Sequence, residues 1–378
     1  MSDGRARIDA LRTRAKVGLS TGEGQVRVRA MAVCSLLAAL AACGDDAGAG
    51  ATTTSSTEGP ATTVATTTTS MVAVGPHARG YAVMAADGHG LVLMTGGFDC
   101  PSCDPTFSGF GDMWALGPGG TWSSLPPNEL PPVDDFAFDT ESNRAVYVDI
   151  GGNGWSFDPD VGVWESLEVD EHPAALHGSK MVYDAGSDRM ILFSGDSFSL
   201  GSVHDQTWAL DLDRATWELM APPQAPPRRT YYAMAYDIGS DRVILFGGSL
   251  YEGVPLADTW AYDYDTNTWE LMSPEQSPPA RVYAAAAYDA VSDRVILYGG
   301  SVDEETAAFE DTWAYDYDTD TWTQLAASSP FAMLAWHAMA SSADGVVLFG
   351  GGVTRDDYLA EVWIFDPVTA AWTPASAP

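Results

Sequence analysis

Lysine is nearly absent: only Lys16 and Lys180 occur in 378 residues. Basic residues number 18 in all against 52 acidic ones, a formal net charge of −34. A chain this acidic repels phosphate backbones instead of displacing their counterions, which excludes DNA and RNA binding. Long apolar runs are missing too. Residues 31–42 form an apolar run of 12, well short of the roughly 20 residues a membrane-spanning helix needs. Cysteine is limited to Cys34, Cys43, Cys100 and Cys103. No amphipathic helical pattern appears after residue 72, and that region contains no HExxH, no Gly-x-Ser-x-Gly, no P-loop and no dinucleotide fingerprint. Against these absences stand 46% hydrophobic residues, 37 glycines and 13 tryptophans. That apolar fraction belongs to a packed protein, not to a chain disordered throughout.

The amino terminus differs from the rest. Residues 1–42 carry seven of the 18 basic residues and three of the 52 acidic ones, so the remainder has a net charge of −38. Arg27 and Arg29 precede the apolar run, which ends in small residues, the pattern of an export signal. Its last residues, Leu40-Ala41-Ala42-Cys43, resemble the lipobox of bacterial lipoproteins. That resemblance implies cleavage after residue 42 and diacylglycerol on the Cys43 thiol, hence a lipid-anchored protein on the outer side of the cell membrane. The 25 residues before Val26 make a long n-region, so translation starting near Val26 or Met31 is an alternative. Residues 43–72 are rich in Thr, Ser, Ala and Gly, with too little apolar surface to offset the entropy of ordering. They read as a flexible tether whose threonines are candidates for O-glycosylation.

The remainder, residues 73–378, is internally repetitive. Twelve of the 13 tryptophans fall into six pairs, Trp114/Trp122, Trp155/Trp164, Trp208/Trp217, Trp260/Trp269, Trp313/Trp322 and Trp363/Trp372, spaced eight or nine residues apart. The second members recur at intervals of 42 to 53 residues. Each unit offers four short β-signals, as at Tyr232–Tyr236, Val243–Phe246, Thr259–Tyr262 and Trp269–Met272, separated by Gly, Asp and Ser turns. A hydrophobic stretch closing on a diglycine, followed by two spaced aromatics, resembles the kelch repeat. The diglycines are Gly96-Gly97, Gly151-Gly152, Gly247-Gly248, Gly299-Gly300 and Gly350-Gly351, with Ser194-Gly195 in the third unit.

The resemblance implies an all-β, six-bladed β-propeller with four antiparallel strands per blade. The blades fall at about 77–125, 132–167, 177–220, 229–272, 281–325 and 335–375. A residue repeated in every blade is expected to build the fold, so function is sought where the repeats differ. Loops after the second strands and those joining blades share one face. They carry Phe107, Phe110, Phe198, His204, Tyr251, Phe309 and Tyr358, while the second unit contributes almost nothing, leaving a gap in the rim. Arg79, Arg229 and Arg281 stand at equivalent positions, with Trp336 and His337 near the corresponding place in the sixth blade. The arginines either clamp an acidic ligand or pair with neighbouring aspartates as part of the repeat. Cys100 and Cys103 suit a disulfide that stiffens the first long loop in an exported protein.

The acidic turns Asp263-Tyr-Asp265-Thr-Asn267 and Asp316-Tyr-Asp318-Thr-Asp320 alternate like a calcium loop but lack its glycine and distal glutamate. They read as turns, with no metal or cofactor expected. Kelch propellers mostly serve as interaction scaffolds. The resemblance therefore implies a monomeric binding module for a protein or glycan at the cell envelope. The alternative is a sugar-acting enzyme similar to the sialic acid mutarotases. Galactose oxidase chemistry is disfavoured, because the six histidines (77, 89, 172, 177, 204 and 337) show no paired spacing.

Overall fold

The computed structural model describes residues 75–98, 109–126, 133–149, 153–167, 169, 172–173, 177–197, 202–250, 253–303, 308–325, 335–354 and 357–375. All lie within one compact unit, Thr63–Pro378. The lipobox, the tether, Cys43, Cys100, Cys103, Phe107, Phe198 and Tyr251 lie outside the described residues, as does the segment Met71–Val74.

Among the described residues the regular elements are all strands, and they form six four-stranded antiparallel sheets. Blade 1 is β1 (Gly80–Ala86), β2 (Val92–Phe98), β3 (Met113–Gly117) and β4 (Thr121–Ser124). Blade 2 is β5 (Val133–Asp139), β6 (Arg144–Asp149), β7 (Gly154–Asp158) and β8 (Val163–Leu167). Blade 3 is β9 (Lys180–Asp184), β10 (Arg189–Ser197), β11 (Ser202–Asp211) and β12 (Thr216–Met220). Blade 4 is β13 (Ala233–Asp237), β14 (Arg242–Phe246), β15 (Thr259–Asp263) and β16 (Thr268–Leu271). Blade 5 is β17 (Ala285–Asp289), β18 (Arg294–Tyr298), β19 (Thr312–Asp316) and β20 (Thr321–Leu325). Blade 6 is β21 (Ala338–Ser342), β22 (Gly345–Phe349), β25 (Val362–Asp366) and β26 (Ala371–Pro374), with the small ribbon β23 (Gly352–Thr354) and β24 (Asp357–Tyr358) inserted.

Turn chemistry fixes the hairpins. Asp237 Oδ1 accepts from the backbone N–H groups of Gly239 and Ser240, and Asp241 then takes φ 57°. Asp188 and Asp293 take the same left-handed conformation in their blades, which aspartate tolerates better than most residues.

Side-chain size follows the radius. Sheets that radiate from an axis are closest together at the centre, so only small side chains fit there. The innermost strands are accordingly alanine-rich (Ala233, Ala235, Ala285, Ala287, Ala338, Ala340), second strands carry Val, Ile and Leu, and the tryptophans fill the wide outer gaps. Six hydrophobic clusters each span a seam between two blades, and a seventh gathers Tyr283, Trp336 and Tyr358 at one end of the ring. One seam cluster joins Ile191 and Phe193 to Met234, Leu245 and Trp269, and another joins Ala82 and Met94 to Ala338 and Phe349.

That last cluster closes the ring between blades 1 and 6. Tyr81 N–H donates to Trp336 O at 2.8 Å, Gly351 N–H donates to Arg79 O at 2.9 Å, and Trp122 meets Phe349 edge-on at 5.3 Å. Each blade is built from its own consecutive strands, so closure rests on this seam and not on strand exchange.

A second polar device links blades. Trp269, Trp322 and Trp372 each donate Nε1–H to the threonine that opens β11, β15 or β19 of the preceding blade, or stands just before its core (Thr207, Thr259, Thr312), at 2.9 to 3.0 Å. Blades 1 and 2 have Met113 and Gly154 at that position, and there Trp164 and Trp217 have buried Nε1 atoms with no hydrogen-bond partner.

Candidate functional site

Antiparallel order places the amino-terminal ends of the inner strands, the β2–β3 type connections and the blade junctions on one face, the loop face. The β1–β2 type and β3–β4 type turns occupy the other. Arg79, Arg229 and Arg281 sit at the loop-face end, and the structure shows how they are used. Arg281 donates from Nε to Pro279 O at 3.0 Å, from Nη1 to Gly299 O at 2.9 Å and Asp311 Oδ1 at 2.6 Å, and from Nη2 to Asp311 Oδ2 at 2.9 Å. Arg79 repeats this with His77, Gly96 and Asp112, and Arg229 with Pro227, Gly247 and Asp258. The same aspartates accept from Trp114, Trp260 and Trp313 Nε1 at 2.7 Å.

All three arginine side chains are fully buried. Phe110 and Phe309 cover the Arg79 and Arg281 guanidinium groups at 4.0 and 4.1 Å. The expectation that these arginines clamp an acidic ligand is therefore corrected: a bidentate carboxylate from the same blade already occupies each fork. Burial acts to raise the carboxyl pKa of Asp112, Asp258 and Asp311, but the arginine hydrogen bonds and charge outweigh it and hold each below the ordinary value. In blade 3, Leu176 and Gln206 replace the arginine and aspartate, and blade 6 has Leu334 and Glu361 at these positions. Blade 3 loses both partners, whereas blade 6 loses the arginine and keeps a carboxylate, Glu361, which still accepts from Trp363 Nε1 at 3.1 Å.

Trp336, His337 and Tyr358 are mostly buried, 7%, 6% and 8% exposed, and Trp336 and His337 line the central channel. Tyr81, the second residue of β1, and Tyr231, Tyr283 and Trp336, two residues ahead of β13, β17 and β21, occupy equivalent places, all with φ between 58° and 61°. Such a conformation is costly for a bulky residue. It turns four rings over the channel end: Tyr231–Tyr283 centroids lie 4.6 Å apart, Tyr283–Trp336 5.6 Å and Trp336–Tyr81 6.0 Å. The backbone carries the chain of contacts onward, since Tyr283 N–H donates to Tyr231 O and Tyr231 N–H to Gly178 O. His337 sits in the seam against Tyr298, ring centroids 5.4 Å apart, and burial pushes its pKa down to about 3. It is a neutral packing residue.

The crown of rings is incomplete. Blade 3 has Gly178 at the equivalent place and blade 2 has Val133. The same sector is irregular on the rim. Blade 2 connects β6 to β7 by residues 150–153 alone, whereas β10 and β11 of blade 3 run on to Ser197 and Ser202 after a bulge at Phe193/Gly195. The connection of blade 2 is thus short where the hairpin of blade 3 is long. His204 lies on that hairpin, partly exposed, and the Nε2 of His177 stands 2.8 Å from Tyr231 Oη.

Beneath the crown runs the central channel, about 380 Å³, lined by the inner strands of all six blades from Tyr81, Tyr231 and Trp336 to Gly88, Thr140 and Ile238. Sequence reasoning missed its chemistry. The residue opposite the end of each second strand is Val83, Asp135, Lys180, Ala233, Ala285 or Ala338 in blade order. Only blades 2 and 3 place charges in this tier.

The family model of the KLHDC2/KLHL20/DRC7 Kelch-repeats domain matches residues 142–351. The chain belongs to that kelch family. This kelch propeller is 27% identical over 207 residues to human multiple epidermal growth factor-like domains protein 8, a match covering 50% of this chain and 7% of that protein. It is 24% identical over 219 residues to adagio protein 3 of Arabidopsis thaliana, covering 54% of this chain and 34% of the relative. It is 27% identical over 224 residues to kelch domain-containing protein 10 of Xenopus tropicalis, covering 54% and 51%. The chain thus spans from under a tenth to about half the length of these relatives.

Proposed function

We propose that this kelch propeller is a lipid-tethered interaction module that holds a protein partner at the irregular sector of its loop face, blades 2 and 3. The observation that carries the reading is the division of labour among polar residues. Those repeated from blade to blade are consumed internally, as Arg281 is by Asp311, while blades 2 and 3 break the pattern in the crown and on the rim alike. Kelch propellers commonly bind proteins, and the long hairpin of blade 3, paired out to Ser197 and Ser202, offers a partner an edge. A lipid on Cys43 and the tether over 43–72 would hold the propeller at the cell envelope. An enzyme acting on acidic sugars would need the arginines that the aspartates already hold.

The test places a photo-reactive side chain at His204 on the loop face or at Val291 on the turn face of the full-length chain in its native membranes. Adducts from His204 and none from Val291 support the reading; the reverse, or equal adducts, contradicts it. Mass spectrometry of the mature amino terminus tests the anchor separately, with an acylated Cys43 expected and an unmodified soluble form refuting it.

A further inference from the structure

The two ends of the channel are unlike. At the loop face its lining residues Tyr283, Trp336 and His337 are buried, and the crown rings pack on one another. At the turn face the lining residues Gly88, Thr140, Ala185 and Ile238 are exposed, Ile238 at 60%. The six turns that ring this end, 87–91, 140–143, 185–188, 238–241, 290–293 and 343–344, all belong to the described residues. The channel therefore has a mouth on the turn face.

Inside, the wall is apolar. Met84, Met181, Met234 and Met339 line it together with Ala235, Ala287 and Ala340. Alanine leaves room along the axis, and methionine adapts its shape to what it packs against. A space of about 380 Å³ falls at the small end of ligand-binding cavities. Lys180 and Asp135 face it as an ion pair, with Nζ 3.9 Å from Oδ1, so together they add no net charge to the wall.

The mouth, in contrast, is acidic. Glu141, Asp241, Asp293 and Asp344 are exposed on its turns. The arginines that follow these turns are committed further out. Arg189 pairs with Asp211 and Arg242 with Asp263, each at 2.9 Å, Arg144 with Glu165 at 3.3 Å and Arg294 with Asp316 at 3.7 Å. Burial raises the pKa of Asp184 and Asp237, and the next blade's carboxylate, Asp241 or Asp293, adds to it, so like charges crowd around the opening. Tyr183, Tyr236 and Tyr288 line this end as well. Their hydroxyls donate to Asp188, Asp241 and Asp293 at 3.0, 2.7 and 2.7 Å, which holds the rings in place.

We infer that this mouth admits a small organic cation with an apolar body, of which an arylalkyl ammonium ion is the simplest kind. The apolar body enters among the methionines and alanines. The ammonium stays at the mouth, with the rim carboxylates and the tyrosine rings, whose faces attract a cation. The same features select against the other charge classes. The rim and the protein's net charge of −34 oppose an anion. A hydrophilic cation would exchange water for an apolar wall without return, and a neutral molecule gains burial alone. The inference does not rest on the protein-partner reading, since it concerns the opposite face.

Isothermal titration of the full-length protein with phenethylamine tests it. Phenethyl alcohol keeps the body without the charge, 3-phenylpropionate reverses the charge, and ethanolamine keeps the charge without the body. Saturable binding of phenethylamine, at least tenfold tighter than each control, is expected. Ile238→Arg sets a cation at the mouth on an exposed side chain and should weaken binding at least tenfold. Val254→Arg makes the same change of net charge at an exposed position of the loop face, 52% exposed, and should leave the affinity within twofold. Circular dichroism and thermal melts establish that each variant folds, and the control ligands on the unaltered protein decide the matter even if a variant does not. No saturation at millimolar concentration, equal binding of any control, or equal weakening by the two arginine variants would each overturn the inference.

Discussion

Trp322 in blade 5 donates its Nε1–H to Thr259 Oγ1 in blade 4 at 2.9 Å, across a seam where both atoms are buried. The bond is repeated by Trp269 and Thr207 and by Trp372 and Thr312. Thr259→Val keeps the shape and removes the acceptor. It should cost about 1–3 kcal/mol, the penalty for stranding a buried donor. Trp164 has no partner to lose, so Met113→Leu, which alters the equivalent position facing it, should cost less. Chemical denaturation of the two variants checks the contrast; equal losses would mean that packing alone holds the seams.

The buried forks make a second, sharper case. Asp311→Ala leaves the Arg281 guanidinium, fully buried, without its counter-charge and should destabilise by about 3–5 kcal/mol. The double variant Arg281→Met/Asp311→Leu should recover much of that loss, because a buried ion pair is often replaceable by apolar groups. A double-mutant cycle measures the coupling directly. Additive losses would show that the pair acts as two independent residues.

Acid should weaken the fold through two kinds of group. The depressed carboxyl pKa values of Asp112, Asp258 and Asp311 give stability that is present above the unfolded value near 3.9. That stability is lost as pH falls through the lower folded values. His337, held neutral to about pH 3, charges near pH 6.5 in the unfolded chain. Between those values the unfolded state binds the extra proton, so stability falls as pH is lowered, by about 2 kcal/mol from pH 7 to pH 5. Asp184 and Asp237 run the other way: burial raises them, and their contribution is lost as pH rises through the folded value. Denaturation at pH 7 and pH 5 with and without His337→Gln isolates the histidine, and the variant should show a flatter profile. An unchanged slope would place the titration elsewhere.

Two glycines separate conformational strain from steric conflict. Gly300 has φ 84°, and a Cβ there would lie 2.6 Å from Val282 O; Gly119 has φ 79° with nothing within 4 Å. Gly119→Ala should cost about 1–2 kcal/mol for the left-handed backbone alone. Gly300→Ala should cost distinctly more, because the Val282 carbonyl of the same blade must also move. Comparable melting temperatures would show that the diglycine is not set by close approach.

Much of this architecture is legible in the residues. The tryptophan pairs and diglycines mark each blade because every blade meets its neighbour through the same seam, and identical seams demand identical side chains. The partners of Arg79, Arg229 and Arg281 are harder to read, since Asp112, Asp258 and Asp311 lie about 30 residues away and meet them only when the blade folds. Trp336 attracts notice as the one tryptophan outside the pairs, yet it stands in register with Tyr81, Tyr231 and Tyr283. That equivalence is hidden by the change of residue type. Lys180 is conspicuous by rarity alone. Its place beside Asp135 depends on strand register in two blades, one of them with a β-bulge between Val133 and Asp135, which periodicity does not reveal.

Under the proposed function, binding belongs to the irregular sector of the loop face and the repeated sectors are architecture. Photo-cross-linking from two positions on that face tests this most directly, one at Asp205 on the long hairpin of blade 3 and one at Glu310 in the corresponding connection of blade 5, both exposed. Strong adducts from Asp205 with few from Glu310 are the result the account predicts. Adducts of equal strength from both, or from Glu310 alone, would contradict it.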